Sequence, residues 1–323
     1  MIKKQITTRP RADSAPDQKK ETRPHSRPPF RRQEGAPKNI RSPLTRRAST
    51  GHTPDISKST KLRFVPLGGL EEIGLNMMFF EYQNEIVVID AGLLFPVEET
   101  PGIDFIIPNV SYLESKKANI HALIITHGHY DHIGAIPYVM EKLGNPPLYA
   151  TSLTKAIIEK RQEDFPNRAK MNIITVKNGD KIKLSNHFEA EFFGIAHTIP
   201  ESTAVNLKTP VGNVVNLGDF KIEYEDDGTP IDVETMTRIG KEGVQLFTVE
   251  STNADRQGKS ESERNVEKNL AELIGNTEGR IIVAMFASVL TRIGEVIKIS
   301  EKLGRKVALS GYSMKSNVEI AKR

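Results

Sequence analysis

The segment Thr126-His127-Gly128-His129-Tyr130-Asp131-His132 puts three imidazoles and a carboxylate into six residues. It follows the apolar run Ala122-Leu123-Ile124-Ile125, which reads as a buried strand that stops where the donors begin. So dense a set of nitrogen and oxygen donors is the chemistry of a transition-metal site. There is no cysteine, so disulfides and thiolate ligands are excluded and any ion must be held by His, Asp or Glu. Histidine is scarce, eight in all, yet His127, His129, His132 and His197 fall at candidate ligand positions.

A tight loop after a strand lets neighbouring side chains converge. His127 and His129, two apart, can face one ion; Asp131 and His132, past the turn that Gly128 allows, can reach a second. Ions about 3.5–4 Å apart need a shared oxygen ligand, which a carboxylate supplies and an imidazole does not. Remote ligands are expected at other strand ends. His197 follows an expected strand at 188–195, and Asp219 follows one at 213–217. The expected sets are His127, His129, His197 and Asp219 on one ion, and Asp131, His132 and Asp219 on the other, with Asp219 as the bridge. Asp90, closing the apolar strand 85–90, is expected to orient a ligand imidazole or the attacking water. Plainer readings are a satisfied buried histidine for His197 and turn caps for Asp219 and Asp90. The full string behind a buried strand outweighs them.

These donors need a scaffold of alternating strands and helices. Strands are expected at 62–67, 76–81, 85–90, 121–126 and 148–150, with helices at 108–117, 133–143 and 152–163. From Met171 the pattern turns to strands and turns, at 172–176, 181–184, 188–195, 212–217 and 245–250. After Ser260 it alternates again: helix 262–273, strand 280–285, helix 291–303, strand 306–309, then the start of another helix. That Rossmann-like alternation suggests a second domain opening near residue 260. The expected organisation is an arm at 1–60, a first domain at 61–260 and the beginning of another at 261–323.

Charge is unevenly spread. Residues 1–60 carry 15 Lys plus Arg against 5 Asp plus Glu, a net of +10, while the whole chain is +4, so residues 61–323 carry −6. Eight of the 19 prolines lie in the same arm. Such a segment buries too little apolar area to repay its ordering entropy and is expected to be disordered, either a solubilising arm or a tether for RNA or a partner. No apolar stretch approaches the roughly 18 residues of a membrane span, and the N-terminus lacks the apolar core of a signal peptide, so a cytoplasmic enzyme is expected.

With these motifs in order, the chain resembles the metallo-β-lactamase superfamily and, within it, the ribonuclease J family of the β-CASP branch. The matching residues are Asp90 in Val-Val-Ile-Asp-Ala-Gly, the string 127–132, His197 in Ala-His-Thr-Ile-Pro-Glu-Ser and Asp219 in Leu-Gly-Asp-Phe-Lys. Further along, Glu250-Ser251-Thr252-Asn253 looks like the first β-CASP motif, and Phe286-Ala287-Ser288 and Gly304-Arg305-Lys306-Val307-Ala308 also match. The resemblance covers roughly 61–323. It implies an α/β chain with an αββα metallo-β-lactamase fold and the start of an inserted Rossmann-like β-CASP domain. It also implies two divalent ions, zinc or manganese, and single-stranded RNA with a 5′-monophosphate as substrate. RNA would be degraded 5′-to-3′, with internal cuts, in RNA processing and decay. A homodimer or homotetramer at full length is implied too, and helicase or ribosome contacts through the arm.

Three departures stand out. Val289-Leu290-Thr291-Arg292 replaces the usual Asn-x-His-Arg, and Gly311-Tyr312-Ser313-Met314 replaces Gly-Arg-Ser-Met. The family's closing strands, a last ligand histidine and a further β-CASP histidine are expected downstream of Arg323, so the sequence reads as truncated. In the expected chemistry hydroxide attacks phosphorus in line with the leaving 3′ oxygen, Asp90 and Asp131 orient it, and the downstream product keeps a 5′-phosphate. Ser251, Ser288 and Arg292 are candidate phosphate contacts, against helix capping for the serines and a surface ion pair for the arginine. The rivals are a hydrolase of small thioesters, lactones or β-lactams, and a non-catalytic RNA-binding protein. Metal content separates the classes.

Overall fold

The computed structural model describes residues 59–96, 101–225, 227–231, 233–258 and 260–322. The basic arm, but for its last two positions, lies outside the described residues.

Two sheets face each other. The first contains β1 (Leu62–Gly68), β2 (Met77–Tyr82), β3 (Glu85–Ile89), β4 (Ile120–Ile124), β5 (Leu148–Ala150) and β6 (Ile173–Thr175), side by side in chain order. β1 to β3 form an antiparallel meander; β3 to β6 run parallel. The second contains β7 (Lys181–Lys183), β8 (Glu189–Gly194), β9 (Thr203–Thr209), β10 (Gly212–Asn216) and β11 (Leu246–Thr248), antiparallel except for β10 beside β11. The helices are α1 (Ser111–Ser115), α2 (Tyr130–Ile133), α3 (Ile136–Val139), α4 (Ser152–Gln162), α5 (Glu234–Glu242), α6 (Glu263–Asn276), α7 (Leu290–Lys302) and α8 (Tyr312–Ala321).

The period-2 alternation of the strands builds four layers. On β3, Ile86 and Val88 point into a core shared with Leu113, Ile136, Val139 and Ile157 of the helices. Val87 and Ile89 point the other way, into the inter-sheet core with Phe188, Phe192, Val205 and Leu207. The second sheet repeats the pattern: Phe192 and Val214 face the first sheet, while Phe193 and Val215 pack on Ile239 of α5. Helix, sheet, sheet, helix is the αββα architecture. α7 and α8 join the first helical layer, with Leu290, Ile293, Val318 and Ile320 buried in the same core.

Several elements differ from expectation. The helix expected over 133–143 is two short ones, α2 and α3. Pro137 has no N–H to return to the carbonyl of Ile133, so the helix breaks there, and α2 begins at Tyr130 with Asp131 and His132 inside it. β9 and α5 were not read from the sequence. The strands expected at 280–285 and 306–309 have no ladder partner among the described residues, and Ile282 stands 89 % exposed. Apolar character gives extended backbone, but pairing is what makes a strand.

Candidate metal centre

The site lies where the first sheet's parallel strands end and the second sheet's loops cross over them. β3 hands over at Asp90, a non-glycine residue held at φ 60°. Its amide bonds the Ile124 carbonyl at 2.8 Å, and the next amide, Ala91, bonds the His132 carbonyl at 2.8 Å. Asn76 N–H to Asp131 O (3.1 Å), Gly92 N–H to Asn76 O (2.9 Å) and Leu93 N–H to Tyr130 O (3.1 Å) complete the seam. Gly92 is required here: a Cβ would lie 1.6 Å from the Asp131 carbonyl oxygen. At the other crossing Gly218 sits at φ +62°, and a Cβ would meet Thr126 at 2.9 Å.

These loops bring two donor sets together. His127, His129, His197 and Asp219 form one, Asp131, His132 and Asp219 the other, with the ligand atoms of each set within 4.8 Å of one another. His127 Nε2 lies 3.1 Å from His129 Nδ1, and His197 Nε2 lies 3.3 Å from that same nitrogen. Asp219 Oδ2 is 3.9 Å from His127 Nε2 and 3.8 Å from His197 Nε2. Its other oxygen, Oδ1, is 3.3 Å from His132 Nε2, which is 3.5 Å from Asp131 Oδ2. Asp219 thus divides its two oxygens between the sets.

The donors fit a metal. Zinc bonds of about 2.0–2.1 Å in a tetrahedron place ligand atoms roughly 3.4 Å apart, the middle of the observed spacings. Imidazole nitrogens crowded at 3.1–3.3 Å cannot all share protons, and a central cation resolves the repulsion of their lone pairs.

Electrostatics separates the histidines. Burial holds His127 well below the usual imidazole value, aided by the neighbouring His132, His129 and His197. Burial lowers His129 as well, and takes His197 down to about 4. Burial also opposes charge on His132, but Asp90 and Asp219 outweigh it and hold the proton well above the normal value. For Asp219, burial pushes the carboxyl up, yet the His132 hydrogen bond and the surrounding imidazoles leave it lowered.

Asp90 sits behind the site. One oxygen meets His132 Nδ1 at 2.8 Å and the other accepts from the Thr126 amide at 2.8 Å; both are also near the Thr126 hydroxyl. Through Nδ1 it turns His132 Nε2 toward Asp131 and Asp219. Asn76, which sequence reasoning missed, places its amide nitrogen 3.4 Å from Asp131 Oδ2 and 3.1 Å from His132 Nε2. A neutral amide at a strand start carries no ligand signal.

The later motif residues divide. Glu250 Oε1 accepts the Phe220 amide at 2.8 Å and fixes the loop just after Asp219. Ser288 lines a cavity of about 500 Å³ together with His129 and Asp131. Arg292 is held by both carboxylate oxygens of Glu263 at 2.9 Å, the ion-pair reading of this residue. Ser251 is exposed at the head of a turn and does not line that cavity.

Fold and donor sets together define a class, and comparison with known proteins agrees. The family model of the metallo-β-lactamase superfamily matches residues 72–245, and the chain belongs to that superfamily. The model of the ribonuclease J β-CASP domain matches 278–323. Among curated proteins, "Ribonuclease J" of Mycoplasma pneumoniae is 38 % identical over 264 residues, covering 82 % of this chain and 46 % of that protein. "Ribonuclease J" of Thermus thermophilus is 39 % identical over 270 residues, covering 80 % and 46 %. The chain spans about half the length of these relatives. A solved protein of unknown function from Enterococcus faecalis shares the fold at a TM-score of 0.53 and 18 % identity, over 77 % of this chain and 70 % of its own.

Proposed function

We propose that this chain carries the metal-binding half of a ribonuclease that hydrolyses RNA phosphodiester bonds, from a 5′-monophosphorylated end in the 5′-to-3′ direction and also internally, in RNA processing and decay. The observation that supports it most is the division of Asp219's two oxygens between adjacent donor sets beside a cavity of about 500 Å³. A pair of divalent ions, zinc first and manganese second, supplies Lewis acidity and lowers the pKa of water when bound.

The chain's own groups do the rest. His127, His129 and His197, kept neutral by burial, offer lone pairs without losing protons first. Asp131, partly exposed at the cavity wall, is the carboxylate placed to orient the attacking water. Asp90 acts one step back, aligning His132. Ser288, on the wall of the same cavity, is the hydroxyl that would donate to a substrate phosphate oxygen. Cytoplasmic location, assembly into dimers or tetramers at full length, and helicase or ribosome contacts through the arm complete the reading.

The test is metal analysis with an RNA assay. About two ions per chain, and faster loss of 5′-monophosphorylated than 5′-triphosphorylated RNA, are expected, with both lost in Asp219→Ala. A folded, metal-free chain that cleaves no RNA refutes the reading.

A further inference from the structure

Two of the four residues in the first donor set, His197 and Asp219, come from loops of the second sheet, one after β8 and the other after β10. Asp131 and His132 are held by the seam between the loop after β3 and α2, but these two ligands lie outside it. A binding constellation must be kept within about 0.5 Å of its working geometry, so the two loops need a support of their own. Residues beyond 260 supply it.

The Lys221 amide, two residues past Asp219, donates to the carbonyl of Ala196, the residue before His197, at 2.7 Å. The same lysine reaches the entry of α6 with Nζ, which donates to the Glu261 carbonyl at 2.8 Å and to Glu263 Oε1 at 3.1 Å, and pairs with Glu223 Oε1 at 2.8 Å. Glu263 also receives Arg292 Nη2 of α7 on both carboxylate oxygens, at 2.9 Å. Beside Arg292, the Thr291 hydroxyl donates to the carbonyl of Thr198, the residue after His197, at 3.0 Å. The path closes into a ring, and His197 sits between its two ends. Its side-chain links span 42, 29 and 93 positions of sequence, so the tertiary fold makes them. A lone surface ion pair is worth little, but here a carboxylate joins two cations in a network. Burial opposes charge on Glu263, yet the hydrogen bonds from Arg292 and Lys221 outweigh it and hold the carboxyl below its usual value. As the first residue of α6 it also stands where the helix dipole favours a negative charge.

We propose that Lys221 and Glu263 are positioning residues that tie α6 and α7 to the metal centre, so that the placement of these helices sets how tightly the ion at His197 is held. This rests on the metal-dependent reading above and adds what governs one of its two ions. The ion at Asp131 and His132 shares only Asp219 with the ring and answers mainly to the seam. Groups that orient ligands from behind commonly change metal affinity by about 10- to 100-fold when removed.

The test uses the full 323-residue chain, stripped with EDTA, dialysed and titrated with Co²⁺, whose visible absorption reports its ligands. His197→Ala marks the band of the ion on that side. Lys221→Met keeps the backbone amide and an unbranched apolar chain but loses Nζ, and it should raise the Co²⁺ needed for that band roughly tenfold or more. Glu263→Gln should shift the same band in the same direction by a smaller factor, because the Glu261 carbonyl and Glu223 still hold Lys221. Lys298→Ala, which removes a surface ion pair with Glu295 on α7, is the control and should change nothing. Hydrogen exchange on the metal-free chain gives a readout independent of any ion. In both ring variants exchange should quicken in 196–199 and 219–222 and stay unchanged in 90–93 and 130–133. Wild-type Co²⁺ affinity and exchange in both Lys221→Met and Glu263→Gln overturns the proposal. So does exchange that rises equally in all four segments, the mark of general destabilisation. A wild-type chain that takes up no Co²⁺, with the selective exchange change still present in the variants, keeps the ring and refutes the nuclease.

Discussion

At the scale of single residues, His132 differs from its neighbours in a way that predicts how the centre responds to acid. His127, His129 and His197 have lowered pKa values, the last about 4, so they stay neutral and metal-ready well into mild acid. His132 has a raised one and must release a proton from Nε2 before that nitrogen can hold an ion. Proton competition therefore falls on the set of Asp131, His132 and Asp219, and affinity there rises with pH. As pH falls from about 8 to about 5, the ion on that side is expected to leave first, with the other retained to lower pH. Metal-per-chain measurements across a pH series check this; simultaneous loss, or loss in the reverse order, contradicts it. Substitution separates the sets too. Asp219→Ala is expected to remove both ions, and His197→Ala to weaken one by roughly 10- to 100-fold or more while sparing the set of Asp131 and His132. The seven candidate ligand and positioning residues were legible in the sequence because they cluster at or just after strand ends and their types admit little other chemistry. Asn76 was not, since its part comes from a contact with a residue 55 positions away.

At the scale of elements, the centre depends on one close seam, the loop after β3 against α2. Gly92→Ala would drive a methyl group into the Asp131 carbonyl oxygen, at 1.6 Å in the present geometry, so the loop and α2 must separate. A cost of about 3 kcal/mol is expected, with the ion held by Asp131 lost before the other. Gly240→Ala is the matched control. Gly240 lies in α5 with nothing within 4 Å of a built Cβ, so alanine there should stabilise by about 0.5–1 kcal/mol through helix propensity. Urea unfolding read against metal content distinguishes the two; equal effects would count against the seam. The strands of both sheets were readable from their apolar alternation. β9 carried the same signal in Val205 and Leu207, but buried Thr203 and Asn206 diluted it. α5 was hidden because Met236 and Ile239 are the apolar residues it packs against the second sheet, too few to stand out. The break between α2 and α3 was available in Pro137. The unpaired stretches at 280–285 and 306–309 were not distinguishable from strands, because a sequence run shows apolarity and not its partner.

At the scale of the whole molecule, charge and chemistry are separated along the chain. The acidic body holds the donor sets, while the first 58 residues carry all of the +10 found in the arm. A polycationic segment binds phosphates by releasing counterions, without base preference, and its contribution falls steeply with salt. Ring stacking and local hydrogen bonds, by contrast, are affected far less by salt. Deleting residues 1–58 should therefore weaken RNA binding strongly at about 50 mM salt and little at about 300 mM, and flatten the plot of log affinity against log salt. Melting temperature and metal content should stay unchanged, because none of the donors or core residues named above lies in the deleted segment. Fluorescence anisotropy with one unstructured oligoribonucleotide across a salt series reads both chains. An identical slope for the full and shortened forms would show that the arm does not meet RNA, and would assign the salt-dependent contacts to the body despite its net −6.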